Sequence, residues 1–218
     1  MTVAKRAAGL ALGLAVIVGL SHLLPTALES SGPAIVVWKG AGVTLLGVYA
    51  GILARTVDGW LIAFVMFCGA VGDVLIETTG FIAGAAGFAL GHAVAIVLYL
   101  RNRRPGIAGG LVVGLGIAVA AAVAIWFAAR SAPIAGYAAL LVGMAATAWL
   151  SRFPRPHTGL GAILFVVSDG IIFLRRGLWS GSIEAAVVTW AAYFLGQLLI
   201  VIGVTRTLSR TSARAGSD

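Results

Sequence analysis

Apolar residues run through this chain in long, nearly uncharged blocks, broken by short segments that carry charge, proline or glycine. Each block matches the roughly 20 residues a helix needs to cross about 30 Å of hydrocarbon. The pattern predicts an all-α polytopic membrane bundle of eight transmembrane helices, at about 6–25, 33–54, 59–77, 80–100, 106–129, 133–151, 158–175 and 183–205. The links are very short, so consecutive helices are expected to be antiparallel neighbours. Residues 1–218 then form a single transmembrane domain with nothing left over for a soluble one. The first block begins like a secretory signal, with Lys5-Arg6 before Ala7 to Leu20, but it stays apolar to Leu24 and no Ala-x-Ala site follows. It is read as the first membrane helix.

Composition supports lipid as the solvent. Hydrophobic residues make up 61% of the chain and charged residues only 10%, where a soluble domain carries roughly a quarter. The formal net charge of +8 would suit a nucleic-acid binder if it were gathered in a patch. It is instead split into small clusters between the apolar blocks, as in loops that face anionic headgroups, so no nucleic-acid partner is expected. With the N-terminus inside, the inner segments hold eleven Lys and Arg residues, from Lys5 to Arg214, and the outer segments three: Arg130, Arg175 and Arg176. Both termini are therefore expected to be cytoplasmic. The adjacent pair Arg175-Arg176 is the local exception to that bias. The single cysteine, Cys68, lies inside an apolar block and has no partner within the chain.

Against this background the polar residues inside the blocks stand out, because a charge at membrane depth costs at least about 2.5–3.5 kcal/mol. Lys39, Asp73, His92 and Asp169 are ionisable, and Gln197 adds a neutral amide. Glu77 lies nearer a helix end and can reach water. Lys39, Asp73 and Asp169 fall in the outer third, while His92 and Gln197 lie some 10 Å deeper at about 1.5 Å per residue. One polar cavity, open outward, could hold all five. Each polar residue also shares a helical stripe with an aromatic one: Phe88 before His92, Phe165 before Asp169, and Trp190 and Tyr193 before Gln197. Such aromatics are as often ordinary packing. Lys39 reads equally as a counter-ion to an aspartate, His92 as a hydrogen-bonded packing residue, and Gln197 as interhelical glue. Two aspartates in one layer are the feature hardest to assign to packing.

Small residues such as Gly80, Gly84 and Gly87, and the pair Gly109-Gly110, read as seams where helix backbones approach closely. A faint repeat is also present. Gly72-Asp73 followed by His92 is echoed by Ser168-Asp169 followed by Gln197, a 4+4 pattern that would preserve orientation.

Taken in order, Gly72-Asp73-Val74-Leu75, Gly87-Phe88-Ala89-Leu90-Gly91-His92, Phe165-Val166-Val167-Ser168-Asp169 and Tyr193-Phe194-Leu195-Gly196-Gln197 resemble the YhhN-like family of membrane lysoplasmalogenases. Lys39 fits the same pattern, and the resemblance runs over about residues 38–200. There are departures. Gly40 stands after Lys39 where the family typically has Pro, and the tyrosine that often follows the histidine closely is absent, the nearest being Tyr99. The resemblance implies a hydrolase that cleaves the vinyl-ether bond of a lysoplasmalogen, in an integral protein of a bacterial inner membrane. It implies Asp73 and Asp169 as an acid–base pair, supported by Lys39, His92, Gln197, Tyr193 and Ser168, with a lysophospholipid substrate and no cofactor. No Cys/His cluster suggests a metal. On the residues alone, Lys39 is the candidate to hold one aspartate ionised while the other stays protonated.

Other classes stay open on the residues. Buried Asp, His and Lys in a multispan bundle also describe a proton-coupled transporter of small molecules or lipids. A non-catalytic lysolipid-binding protein would need the same cavity.

Overall fold

The structure, a computed structural model, describes residues 3–104, 116, 119, 132–175 and 179–215. The described residues form helices α1 (Val3–Ser21), α2 (Leu23–Ala27), α3 (Pro33–Leu53), α4 (Val57–Thr78), α5 (Phe81–Arg101), α6 (Ala132–Leu150), a π-helical turn (Arg155–Gly159), α7 (Leu160–Arg175) and α8 (Ile183–Ala215). Among them, seven spans are long and apolar enough to cross a membrane, with α1 and α2 counted together and the π turn counted with α7. The protein is thus an all-helical, multi-pass membrane protein. The block expected at 106–129 lies outside the described residues apart from Gly116 and Val119.

Helix starts follow local rules. Gly32 (φ +121°) precedes Pro33, which opens α3, and Gly80 (φ +112°) precedes α5. At α4, the Thr56 side chain accepts the backbone N–H of Gly59 at 3.3 Å, and Asp58 sits in the positive first turn. The first expected helix, 6–25, is interrupted at His22, and α2 carries Pro25. The last, expected to end at 205, continues to Ala215.

The helices pack through small residues. A Cβ on Gly87 would lie 3.1 Å from Cα of Gly72, so α4 and α5 touch backbone to backbone. A Cβ on Gly161 would lie 2.7 Å from the Gly196 carbonyl, and a Cβ on Gly196 the same distance from the Gly161 carbonyl, which locks α7 against α8. The seam expected at Gly84 and Gly87 is present. Gly80 instead opens a helix, and Gly109-Gly110 lies outside the described residues.

Polar clamps gather at one end of the bundle. Arg101 pairs with Asp58 at 2.8 Å, Asn102 donates to the same carboxylate at 2.8 Å, and Arg152 donates to the Asn102 side-chain oxygen at 2.8 Å. The Arg152 N–H donates to the Asn102 carbonyl at 2.7 Å, and the Arg104 N–H to the Leu150 carbonyl at 3.0 Å. The C-terminal ends of α5 and α6 are thus tied together. Lys5, Arg55 and Ser209 share one crevice, so α1 begins where α8 finishes.

Candidate active site

At the opposite end lies a cavity of about 570 Å³. Its rim is built from the loop after α2 (Glu29 to Gly32), the last residue of α7 (Arg175) and the start of α8 (Gly181, Ser182, Ile183). Its walls include His22, Lys39, Glu77, Trp190 and Tyr193, and both aspartates, Asp73 and Asp169, face it. The two aspartates arrive from different helices, α4 and α7, and are only 3% and 5% exposed.

Each aspartate is served by a tyrosine. The Tyr193 hydroxyl donates to Oδ2 of Asp73 at 2.7 Å, and the Tyr137 hydroxyl donates to Oδ2 of Asp169. Behind each tyrosine stands a second polar group. Gln197 Nε2 donates to the Tyr193 oxygen at 3.4 Å. His92 Nε2 lies 3.3 Å from the Tyr137 oxygen. Tyr137 has one hydroxyl hydrogen and gives it to Asp169, so the imidazole is the donor in that contact. Two parallel relays result, amide to phenol to carboxylate and imidazole to phenol to carboxylate. Where the carboxylate is ionised, such a bond is charge-assisted and roughly twice as strong as a neutral one.

The aromatic stripes close around these relays. Phe88, Phe165 and Tyr193 meet edge to face, with centroids 6.1 Å (Phe88–Phe165), 5.7 Å (Phe88–Tyr193) and 5.2 Å (Phe165–Tyr193) apart. The His92 ring packs on Phe165 at 4.9 Å. A Cβ on Gly69 would fall 2.7 Å from Gln197 Nε2 and 3.1 Å from the Tyr193 hydroxyl, so the relay to Asp73 needs a glycine there.

The expected residues divide into two shells. Lys39, Asp73, Asp169 and Tyr193 line the cavity together. His92, Gln197 and Ser168 do not: they are 4%, 2% and 0% exposed and sit behind the first layer. The expectation that all five polar residues line one cavity is corrected to this extent, and the depth ordering explains it, since His92 and Gln197 lie deeper along their helices. Lys39 is also corrected. Its ammonium pairs with Glu77 at 2.7 Å and not with an aspartate. Glu77 is one turn beyond Asp73 on the same face of α4 and nearer the surface, where an ion pair is hydrated more cheaply. Lys39 also lies 6.0 Å above the Trp190 ring.

Tyr99, the nearest tyrosine after the histidine, takes no part. Its ring is fully buried against Phe153, and its hydroxyl has no partner among the described residues. The hydroxyl beside His92 comes from Tyr137 on another helix. Sequence reasoning missed Tyr137, His22 and the place of Arg175 in the rim. The only available hint was that Arg175 breaks the positive-inside pattern.

This set of residues can be compared with known proteins. The model of the YhhN family matches residues 34–204, from just before Lys39 to beyond Gln197. The chain belongs to the YhhN family. Proteins named lysoplasmalogenase from Mycobacterium bovis and Mycobacterium tuberculosis are each 28% identical to it over 214 residues, covering 90% of this chain and 80% of the relative. No solved structure matches it. In this YhhN protein, both aspartates, both tyrosines and the two groups behind them fall within the matched stretch.

Proposed function

We propose that this YhhN protein is a lysoplasmalogenase, a hydrolase that cleaves the vinyl-ether bond of lysoplasmalogens bearing phosphocholine or phosphoethanolamine. It releases a fatty aldehyde and the glycerophospho head group. The observation that carries the reading is the pair of buried aspartates on different helices, facing one cavity and each held by a tyrosine hydroxyl. Similarity to the two mycobacterial relatives supports it.

The chemistry requires a proton on the vinyl β-carbon, which leaves an oxocarbenium ion across the α-carbon and the ether oxygen. Water adds to the α-carbon and loses a proton. The hemiacetal then collapses to aldehyde and alcohol. One carboxylic acid and one carboxylate suffice, as in glycoside hydrolysis, whose transition state has the same character.

Surroundings favour Asp169 as the acid. Ser168 donates its one hydroxyl hydrogen either to the Phe165 carbonyl at 2.9 Å or to Asp169 Oδ1 at 3.2 Å, which leaves Asp169 with neutral partners only. Asp169 also lines a smaller, largely apolar crevice with Phe81, Ala85, Ile172 and Phe173, which Asp73 does not reach. That crevice, about 20 Å³, is too small for the alkenyl chain, which occupies the main cavity with its β-carbon at Asp169. Asp73, on the polar side of the cavity with Lys39 and Glu77, serves as the carboxylate that steadies the cation and takes the proton from water. Lys39 positions Glu77 and the rim.

The setting proposed is a bacterial inner membrane, crossed eight times with 106–129 as the fifth crossing and both termini cytoplasmic. The site then opens to the outer leaflet.

The test is incubation of the purified protein with a panel of lysoplasmalogens and lyso-ester lipids, reading aldehyde by mass spectrometry. Aldehyde should appear from vinyl ethers alone and fall by about 10²–10⁴-fold or more in Asp73→Asn and Asp169→Asn, because Asn cannot shuttle a proton. Full activity in either folded variant would remove that aspartate from the mechanism.

A further inference from the structure

Six acidic or basic side chains line the cavity: Glu29, Lys39, Asp73, Glu77, Asp169 and Arg175. Four are accounted for. Tyr193 and Tyr137 hold the aspartates, and Lys39 and Glu77 hold each other at 2.7 Å. The other two, Glu29 and Arg175, carry opposite charges, and both stand on the rim. Neither side chain has a hydrogen-bond or ion-pair partner among the described residues, and they do not pair with one another. Nε of Arg175 is buried, but its two terminal nitrogens stay accessible. An acid and a base left apart on one rim are complementary to a ligand that carries both charges.

Local structure does not explain either residue. Glu29 follows α2 with φ +50°. Its N–H donates to the Thr26 carbonyl at 3.3 Å, and the Ser30 N–H donates to the Pro25 carbonyl at 2.9 Å. This is the helix-ending turn whose left-handed residue is usually glycine, which would take the conformation more easily than glutamate. Arg175 stands on the side that the proposed topology turns outward, where Lys and Arg are few. Its position along α7 fits the substrate. It lies six residues beyond Asp169, about 9 Å at 1.5 Å per residue. Seven bonds separate the vinyl β-carbon of a lysoplasmalogen from its phosphorus. An extended chain advances about 3.3–3.6 Å for every three bonds, so these seven span about 8 Å. With the β-carbon at Asp169, the phosphate comes level with Arg175.

We propose that Arg175 binds the phosphodiester of the lysolipid and Glu29 its ammonium group, so that the rim selects a zwitterionic phospho-amine head group over an anionic one. A planar guanidinium presents paired N–H donors to phosphate oxygens. A carboxylate beside it attracts the amine and repels a head group that carries no cation. The inference rests on the lysoplasmalogenase reading, and it deepens that reading by naming what reads the head group.

Two measurements on the full chain test it. The first is kcat/KM for aldehyde release from alkenyl lipids bearing phosphoethanolamine, phosphoglycerol or no phosphate. Wild type should favour phosphoethanolamine over the phosphate-free lipid by about 10–100-fold, chiefly in KM, as hydrogen bonds to a charged group allow. Arg175→Gln should lose most of that factor, and Arg175→Lys should restore part of it. Glu29→Gly, which suits the turn, should lower kcat/KM on the phosphoethanolamine lipid and raise it on the phosphoglycerol lipid, so that the two converge. An Arg175→Gln variant that slows all three lipids equally would show a structural role and overturn the proposal, as would an unchanged ratio of the two phospholipids in Glu29→Gly. The second measurement is binding of non-hydrolysable alkyl-ether lysolipids with phosphocholine and phosphoglycerol head groups. It separates the two readings. If no vinyl ether yields aldehyde but wild type binds the phosphocholine lipid more tightly and Glu29→Gly does not, the hydrolase reading falls and the head-group site stands. Inorganic phosphate, which lacks an amine, should displace neither lipid; displacement of both alike would make the rim a site for free anions and overturn the proposal. Equal binding of both lipids by wild type overturns it whatever the activity.

Discussion

A carboxylate sunk among helices must receive hydrogen bonds, since neither lipid nor an apolar neighbour can supply them. Here the donors are phenols, and each phenol is itself held by a group on its far side: Gln197 for Tyr193 and His92 for Tyr137. A tyrosine in this position keeps its aspartate in one rotamer facing the cavity. Tyr137→Phe should therefore leave the fold intact and lower aldehyde release by up to about 10-fold, the equivalent of about 0.5–1.5 kcal/mol for a hydrogen bond to a neutral acid. His92→Ala should cost less than Tyr137→Phe, because His92 reaches Asp169 only through the phenol, and the double variant should be no worse than Tyr137→Phe alone. Additive losses would mean that His92 acts independently. The aspartates were legible in the sequence because an ionisable group in an apolar block demands a reason. Tyr137 was not, since tyrosine on a helix is unremarkable until another helix brings Asp169 to it. The partner of Lys39 was misread for a related reason. Asp73 and Glu77 share one face of α4, and sequence depth alone does not say which of the two an ammonium will choose.

Among the elements, the helix interfaces are set by where side chains are missing. Gly161 and Gly196 face each other across α7 and α8 so closely that either added Cβ meets the opposing carbonyl. Asp169 rides on α7, and Tyr193 and Gln197 on α8. This contact therefore holds the two relays in register. Gly161→Val should lower the melting temperature in detergent and activity together. Gly13→Ala, at a position with nothing within 4 Å, should leave both unchanged or raise stability by up to roughly 0.5–1 kcal/mol. A stable, active Gly161→Val protein would mean that α7 and α8 can slide apart without harm to the site. Hydropathy located the helices well, because charge and proline mark where the chain leaves hydrocarbon. It placed some ends poorly. The last apolar residues near 205 mark the edge of the membrane, but Arg206 to Ala215 keep helical geometry beyond it. The break at His22 lies inside an apolar block, where hydropathy has no contrast to register, and it is this break that brings the imidazole to the cavity.

At the scale of the whole molecule, connectivity constrains the number of crossings. The C-terminal ends of α5 and α6 are hydrogen-bonded to one another through Asn102, Arg104, Leu150 and Arg152, so these two helices run in the same direction. Ala132, at the start of α6, therefore lies at the opposite end of the bundle from Arg104. The beginnings of α1 and the latter part of α8 also share one end, beside Arg55. Seven crossings would leave the two chain ends on opposite sides; eight return them to the same side. The charge distribution then chooses the side. Arg55, Arg101, Arg103, Arg104, Arg152 and Arg155 belong to the shared end, while the cavity rim has Glu29 and Glu77 as well as Lys39 and Arg175. By the positive-inside bias the proposed topology puts the shared end in the cytoplasm and opens the cavity outward. Reporter fusions after residue 218 and within the loop near residue 30 should accordingly report opposite sides of the membrane, with the fusion at 218 cytoplasmic. Both on one side would exclude the eighth crossing. Opposite sides with 218 outside would invert the orientation and place the catalytic cavity on the inner leaflet, where the supply of lysolipid is a different one.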